Sequence, residues 1–149
     1  MVLPVFSAGI LPFRRRHELE MLVAHPGGPL WANRHEGSWS IIKGMVELGE
    51  DPYDAARREF EEETGWRAPV GAVLELGEVI QRSGKRVVAW AIEADYDPET
   101  LAGDTVTMPW RGRLLTFPEI DVVRWAAPDE ARMLLNPAQR AFVDRLLAW

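Results

Sequence analysis

Three glutamates, Glu59, Glu62 and Glu63, stand at i, i+3 and i+4 in a segment that opens on Asp51-Pro52 and closes near Gly65. On an α-helix of about 3.6 residues per turn they share one face, within an arc of about 100°. Carboxylates so placed repel by roughly 0.2–0.5 kcal/mol per pair on an exposed helix. A cation between them reverses that sign, and hard divalent ions prefer oxygen ligands together with substrate phosphates. Asp51 can cap the first free amides, Pro52 suits the first helical position, and Gly65 suits the left-handed end. Ala56 and Phe60 form a neighbouring stripe for packing, and Arg58 can pair with a carboxylate or contact phosphate. From Glu47 to Glu63 there are eight acids and two bases, which matches the whole net charge of −6. This pattern alone leaves two readings open, a divalent-metal site and a solvated acidic face.

The wider spacing adds a second pattern. Gly44 is followed after five residues by Glu50, and after seven more by Arg58-Glu59-Phe60-Glu61-Glu62-Glu63-Thr64-Gly65-Trp66. This run resembles the Nudix box, the loop–helix–loop signature of the Nudix hydrolase superfamily, over residues 44–66. Gly44, Glu50, Arg58, Glu59, Glu62, Glu63 and Gly65 match its invariant positions, while Phe60 and Trp66 stand where aliphatic residues are commoner. Trp39-Ser40-Ile41-Ile42-Lys43-Gly44 is similar to the stretch that leads into such a box, with Ile42 where proline is common. The loop His25-Pro26-Gly27-Gly28-Pro29 looks like that of a bacterial group of predicted NTP pyrophosphohydrolases. The resemblance implies the Nudix fold, an α/β/α sandwich with a central mixed β-sheet, as a single domain over 1–149.

The same resemblance implies metal-dependent hydrolysis of a pyrophosphate linkage in a nucleoside diphosphate linked to another moiety. Glu59, Glu62 and Glu63 would ligate Mg²⁺, or Mn²⁺, with the Gly44 carbonyl, and Glu50 would add a ligand or hold one in place. Arg58 would orient a glutamate, Glu59 foremost, through a bidentate pair. The general base would be Glu59 first, and Glu119 or Asp121 second. Lys43 is the foremost phosphate contact, and Arg82 stands with Lys85 and Arg86 near a hairpin. Trp110, between Met108 and the pair Arg111 and Arg113, could stack a base from a lid, and Trp31 and Trp39 are further stacking candidates. His25 and His35 read as loop residues, since Mg²⁺ avoids imidazole. Arg82, Ser83 and Gly84 stand where dinucleoside tetraphosphate hydrolases often carry tyrosine, and Gln81 where ADP-ribose hydrolases often carry proline. The substrate expected is a small nucleotide, leaning to a dinucleoside polyphosphate or a nucleoside triphosphate. The alternative is a regulatory module that binds nucleotide without cleaving it. An isomerase of the isopentenyl diphosphate type typically relies on a catalytic cysteine, and the chain has none.

The elements that must position these groups read as strands over 6–13, 19–24, 39–42, 74–80, 86–94 and 121–125, and helices over 52–64, 128–135 and 137–149. The stretch 95–118 reads as a long irregular connection. The absence of cysteine excludes disulfides, thiolate metal sites and a thiol nucleophile. No apolar run approaches the roughly 20 residues that span a bilayer, so no membrane partner is expected. Met1 to Gly9 lacks a basic region followed by an apolar stretch, and a cytoplasmic protein is expected. Without a broad basic face, nucleic acid is not an expected partner. Trp149, behind Phe142, Leu146 and Leu147, would either cap the core or meet a second subunit, leaving monomer or homodimer open.

Overall fold

Alternating apolar residues on both sides of the central strands dictate a sheet covered on both faces. In the computed structural model, which describes residues 5–149, β1 (Phe6–Arg15) is that sheet's centre. Met1 to Pro4, part of the segment read as carrying no leader, lie outside the described residues. β1 pairs antiparallel with β2 (Leu19–Pro26) and β3 (Ile42–Met45), and parallel with β5 (Arg86–Glu93). β4 (Val73–Ile80) completes one side against β5, and β8 (Ile120–Ala126) the other against β2. The sheet is therefore mixed.

Side-chain parity sorts the core into two layers. Ala8 and Ile10 of β1, with Leu22 and Ala24 of β2, face α1 (Pro52–Thr64), where they meet Ala55, Ala56 and Phe60. Leu11 and Phe13, with Met21 and Val23, face the opposite layer. There α2 (Pro128–Leu134) and α3 (Arg140–Leu147) present Leu134, Phe142 and Leu146. The result is the expected α/β/α sandwich. Buried Gln139 ties the α3 layer to the strand edge: its Oε1 accepts from the Ile41 amide at 2.9 Å, and its Nε2 donates to Ser40 Oγ and Gln81 Oε1. Among the described residues no helix is long and apolar enough to cross a membrane.

Three elements differ from the sequence expectation. The strand expected over 39–42 begins at Ile42 and runs to Met45, because β1 pairs with it from Ile10↔Ile42 to Ser7↔Met45. Trp39 and Ser40 instead form isolated bridges with Leu135 and Ala24. The connection expected to be irregular contains a 3₁₀ turn, Pro98–Thr100, and a hairpin of β6 (Thr105–Trp110) and β7 (Arg113–Pro118). Its two-residue turn, Arg111-Gly112, takes φ of +50° and +82°, the positive values that a type I′ turn needs. The last helix starts later than expected, since Pro137–Gln139 forms a 3₁₀ turn first. Trp149 does not cap the core: it is 66% exposed, while Phe142 and Leu146 are buried.

The ends of α1 behave as their residues require. Asp51 accepts from the Asp54 amide at 3.1 Å, and Gly65, at φ +75°, donates to the Glu61 carbonyl. A Cβ at Gly65 would also overlap the Ala102 carbonyl. Gly65→Ala is therefore expected to destabilise the protein by more than about 1 kcal/mol, since both conformation and space oppose it. Urea unfolding checks this, and a loss below about half that size would contradict the steric account.

Candidate active site

The i, i+3, i+4 spacing on α1 does what helix geometry requires. Glu59, Glu62 and Glu63 line one cleft of about 290 Å³ with Lys43, Gly44 and Met45 of β3. Three further residues enter from elsewhere: Lys85 beside the β4–β5 turn, Asp104 before β6, and Glu119 between β7 and β8. The approach of α1 to β3 depends on Gly44, because a Cβ there would overlap the Glu59 carboxylate.

Arg58 organises the acids. Its Nε donates to Glu50 Oε2 at 2.8 Å and its Nη2 to Glu50 Oε1 at 2.9 Å, a bidentate pair. Nη1 donates to Glu59 at 2.9 Å and to Glu62 at 3.1 Å, and Nη2 also reaches the Met45 carbonyl at 3.1 Å. The bidentate partner expected from the sequence was Glu59; the fork instead grips Glu50, whose loop brings both carboxylate oxygens to it. Arg58, together with the Glu47 amide, holds the Glu50 carboxyl down at about 2. Glu50 is not among the residues that line the cleft, so its place is beside Arg58.

Inside the cleft the charges are unbalanced. Burial, then repulsion from Glu59 and Glu119, pushes Glu63 up to about 8, with Lys43 opposing the shift. Burial also raises Glu59, against the pull of Arg58. Lys43 falls to about 8 through burial first and Lys85 second, with Glu63 and Glu119 opposing. Two lysines and five acids thus face one space that a phosphate and a divalent cation would complete.

The donor set suits a hard ion, being carboxylates and a backbone carbonyl with no thiol or imidazole. Among the described residues no three acids already converge as a metal cluster. Nη1 of Arg58 holds both Glu59 and Glu62. The remaining sequence candidates fall in different places. Glu119 lines the cleft, whereas Asp121 lies 2.8 Å from His25 Nδ1. His25 is buried, donates from Nε2 to the Arg34 carbonyl at 2.7 Å, and stacks on His35. Arg82 is exposed at the β4–β5 turn and does not line the cleft, and Arg86 pairs with Glu78 at 2.6 Å. Trp110 stands at the far end of the β6–β7 hairpin, away from the cleft lining. Trp39 is 2% exposed and belongs to the core, so no base can stack on it, while Trp31 is at the surface. Asp104 was not singled out by the sequence, because it carries no motif and its position depends on a hairpin that the sequence did not reveal.

Comparison with known proteins places the fold and the family. The NUDIX domain model matches residues 3–146. A protein from Caulobacter vibrioides called RNA pyrophosphohydrolase is 28% identical, covering 91% of this chain and 85% of its own. Another of that name from Rhodospirillum rubrum is 30% identical, covering 97% and 91%. Among solved structures, a Caenorhabditis elegans Ap4A hydrolase binary complex superposes with a TM-score of 0.66 at 19% identity, covering 95% of this chain and 96% of that one. The NUDIX domain of Shewanella oneidensis NrtR, complexed with ADP ribose, gives 0.65 at 13%, covering 99% and 89%. By the match over residues 3–146 and the 30% identical relative, the chain belongs to the NUDIX domain family and is a Nudix hydrolase.

Proposed function

We propose that this chain hydrolyses a pyrophosphate linkage next to a nucleoside 5′-phosphate, with a divalent cation held by Glu59, Glu62, Glu63 and the Gly44 carbonyl. The observation that carries this reading is geometric: Glu59, Glu62 and Glu63 of α1 line one cleft with Glu119 and face Lys43 and Lys85. A half-buried acid beside like charges is costly to the fold, and a cation between them would offset that cost. When bound, Mg²⁺ or Mn²⁺ would neutralise phosphate charge and make water more acidic. Lys43 and Lys85 bind the phosphate oxygens from the opposite wall, and Glu59 takes the proton from the attacking water. Glu119 is the second candidate for that proton, and Arg58 positions Glu59 and Glu62 through its fork. No covalent nucleophile is required, because phosphoryl transfer rests on positioning and electrostatics.

The small nucleotides expected from the sequence, a dinucleoside polyphosphate or a nucleoside triphosphate, fit this chemistry. A second reading, the 5′-phosphorylated end of RNA, is favoured by two relatives called RNA pyrophosphohydrolase that align over 85% and 91% of their own lengths. It reopens a partner that the lack of a broad basic face had set aside.

Glu63→Gln is expected to lower kcat/KM by at least about 100-fold, since cation binding contributes several kcal/mol to such transition states. Its metal-free melting temperature is expected to match or exceed that of the parent, because an amide removes a buried, repelled acid. Chromatography of products with Mg²⁺ and a nucleotide panel, beside thermal unfolding in EDTA, checks both parts. Full activity in this variant would refute the assignment, and nucleotide binding without turnover in the parent would favour a regulatory module. Arg58→Lys is expected to reduce activity by roughly 10–100-fold, because a single ammonium cannot hold Glu50 bidentately and Glu59 together. The Mg²⁺ concentration that gives half-maximal thermal stabilisation should rise with it; an unchanged value would show that Arg58 serves only the fold.

A further inference from the structure

The β6–β7 hairpin has an apolar face that neither core cluster uses. Val106, Met108 and Trp110 on β6, with Leu115 and Phe117 on β7, are each half-buried and lie on one side of the ribbon, where the Phe117 ring rests against Gly28 at the root and the rest of the face runs out to Trp110. The other side is polar or exposed, with Thr107 and Thr116 sharing a hydroxyl hydrogen bond of 2.7 Å. At the tip Arg111 lies 5.5 Å over the Trp110 ring, and among the described residues neither Arg111 nor Arg113 has a carboxylate partner. The hairpin is rooted in the active site. Asp104 and Glu119, the residues before β6 and after β7, both line the cleft, and the Glu119 amide donates to the Asp104 carbonyl at 3.0 Å. The Asp104 amide donates to the Glu62 carbonyl at 2.7 Å, which fixes that root to α1.

Resting on the pyrophosphohydrolase reading above, we propose that this face is a stacking platform for the nucleosides of a single-stranded oligonucleotide whose 5′-phosphates occupy the cleft. Chemistry and length both support that occupant. Aromatic and apolar faces accept any base, and guanidinium groups beyond them complement the phosphates that follow. Phe117 stands two residues from Glu119, and Trp110 six from Asp104, which at the rise of a strand is about 20 Å. A stacked strand places one phosphate per roughly 3.4 Å, so this length exceeds a mononucleotide and suits a short oligonucleotide. Strand addition by a second copy of the chain is disfavoured at these edges, since Pro109 lies within β6 and Pro118 ends β7.

The test compares kcat/KM for ATP and for a 5′-triphosphorylated tetranucleotide in the parent, Trp110→Ser and Arg113→Glu, with Mg²⁺. The parent is expected to favour the tetranucleotide at least fivefold, and both variants to bring that ratio close to one. Arg113→Glu keeps the test valid where Trp110→Ser unfolds the hairpin. Equal rates on both substrates in the parent would overturn the platform and leave the hydrolase reading standing, as would a preference that neither variant changes. Anisotropy of a labelled 5′-monophosphorylated tetranucleotide, which carries no pyrophosphate to cleave, supplies with Mg²⁺ present a readout independent of turnover. Binding at least fivefold weaker in the variants supports the platform even where the parent cleaves neither substrate, a result that would instead sink the hydrolase reading. Equal binding overturns the platform. So does a concentration-dependent mass that Trp110→Ser abolishes, which would make the face an interface between copies.

Discussion

The guanidinium of Arg58 is the contact on which the rest of the site depends. Eight acids fall between Glu47 and Glu63, and a chain that gathers so much like charge must either neutralise it or keep it in water. Arg58 joins Glu50, Glu59 and Glu62 in one network and reaches the Met45 carbonyl, so a single cation ties the loop before α1 to the middle of the helix. Lysine has neither the planar fork nor the number of donors for this. The other acids go to separate tasks. Asp51 caps the helix, Glu61 accepts from the Ala68 amide at 2.8 Å, and Glu63 is left without a cation of its own in the cleft, apart from the field of Lys43.

The far end of α1 imposes a second constraint. The last carbonyls of a helix need donors from outside it. Here Gly65 serves Glu61, Ala102 serves Thr64 at 2.9 Å, and Asp104 serves Glu62 at 2.7 Å. The segment that supplies two of these donors leads directly into β6. The hairpin is therefore anchored through the helix cap, and the same bonds carry Asp104 and Glu119 to the cleft. Helix termination and completion of the site are one structural event.

Legibility in the sequence follows the range of the forces involved. α1, its caps and its acidic face depend on contacts within a few residues, and the residues themselves foretold them. The inner strands were legible because alternation of the kind in Val88, Trp90 and Ile92 is local as well. The role of Glu50 was less so, since it depends on which carboxylate the 45–50 loop delivers to Arg58 across eight positions. Lys85 and Asp104 share the cleft only because β5 runs parallel beside β1 and the hairpin docks on α1, facts of tertiary pairing. The hairpin itself was hidden by its own composition: Pro109, Pro118 and Arg111-Gly112-Arg113 interrupt an otherwise plain alternation of Thr and apolar residues.

The same network bears on how tightly the site can hold an ion. Glu59 and Glu62 are both engaged by Nη1 of Arg58, so a cation must compete with a guanidinium for them. Glu63 makes no such contact with Arg58, and partial burial beside Glu59 and Glu119 raises its carboxyl. Each condition weakens binding to the empty cleft. On the proposed reading a polyphosphate would add ligand oxygens that the protein lacks, and the cation it accompanies would favour the ionised form of Glu63. The consequence of that reading would be coupling: substrate and cation would each hold the other in the cleft more tightly than either is held alone.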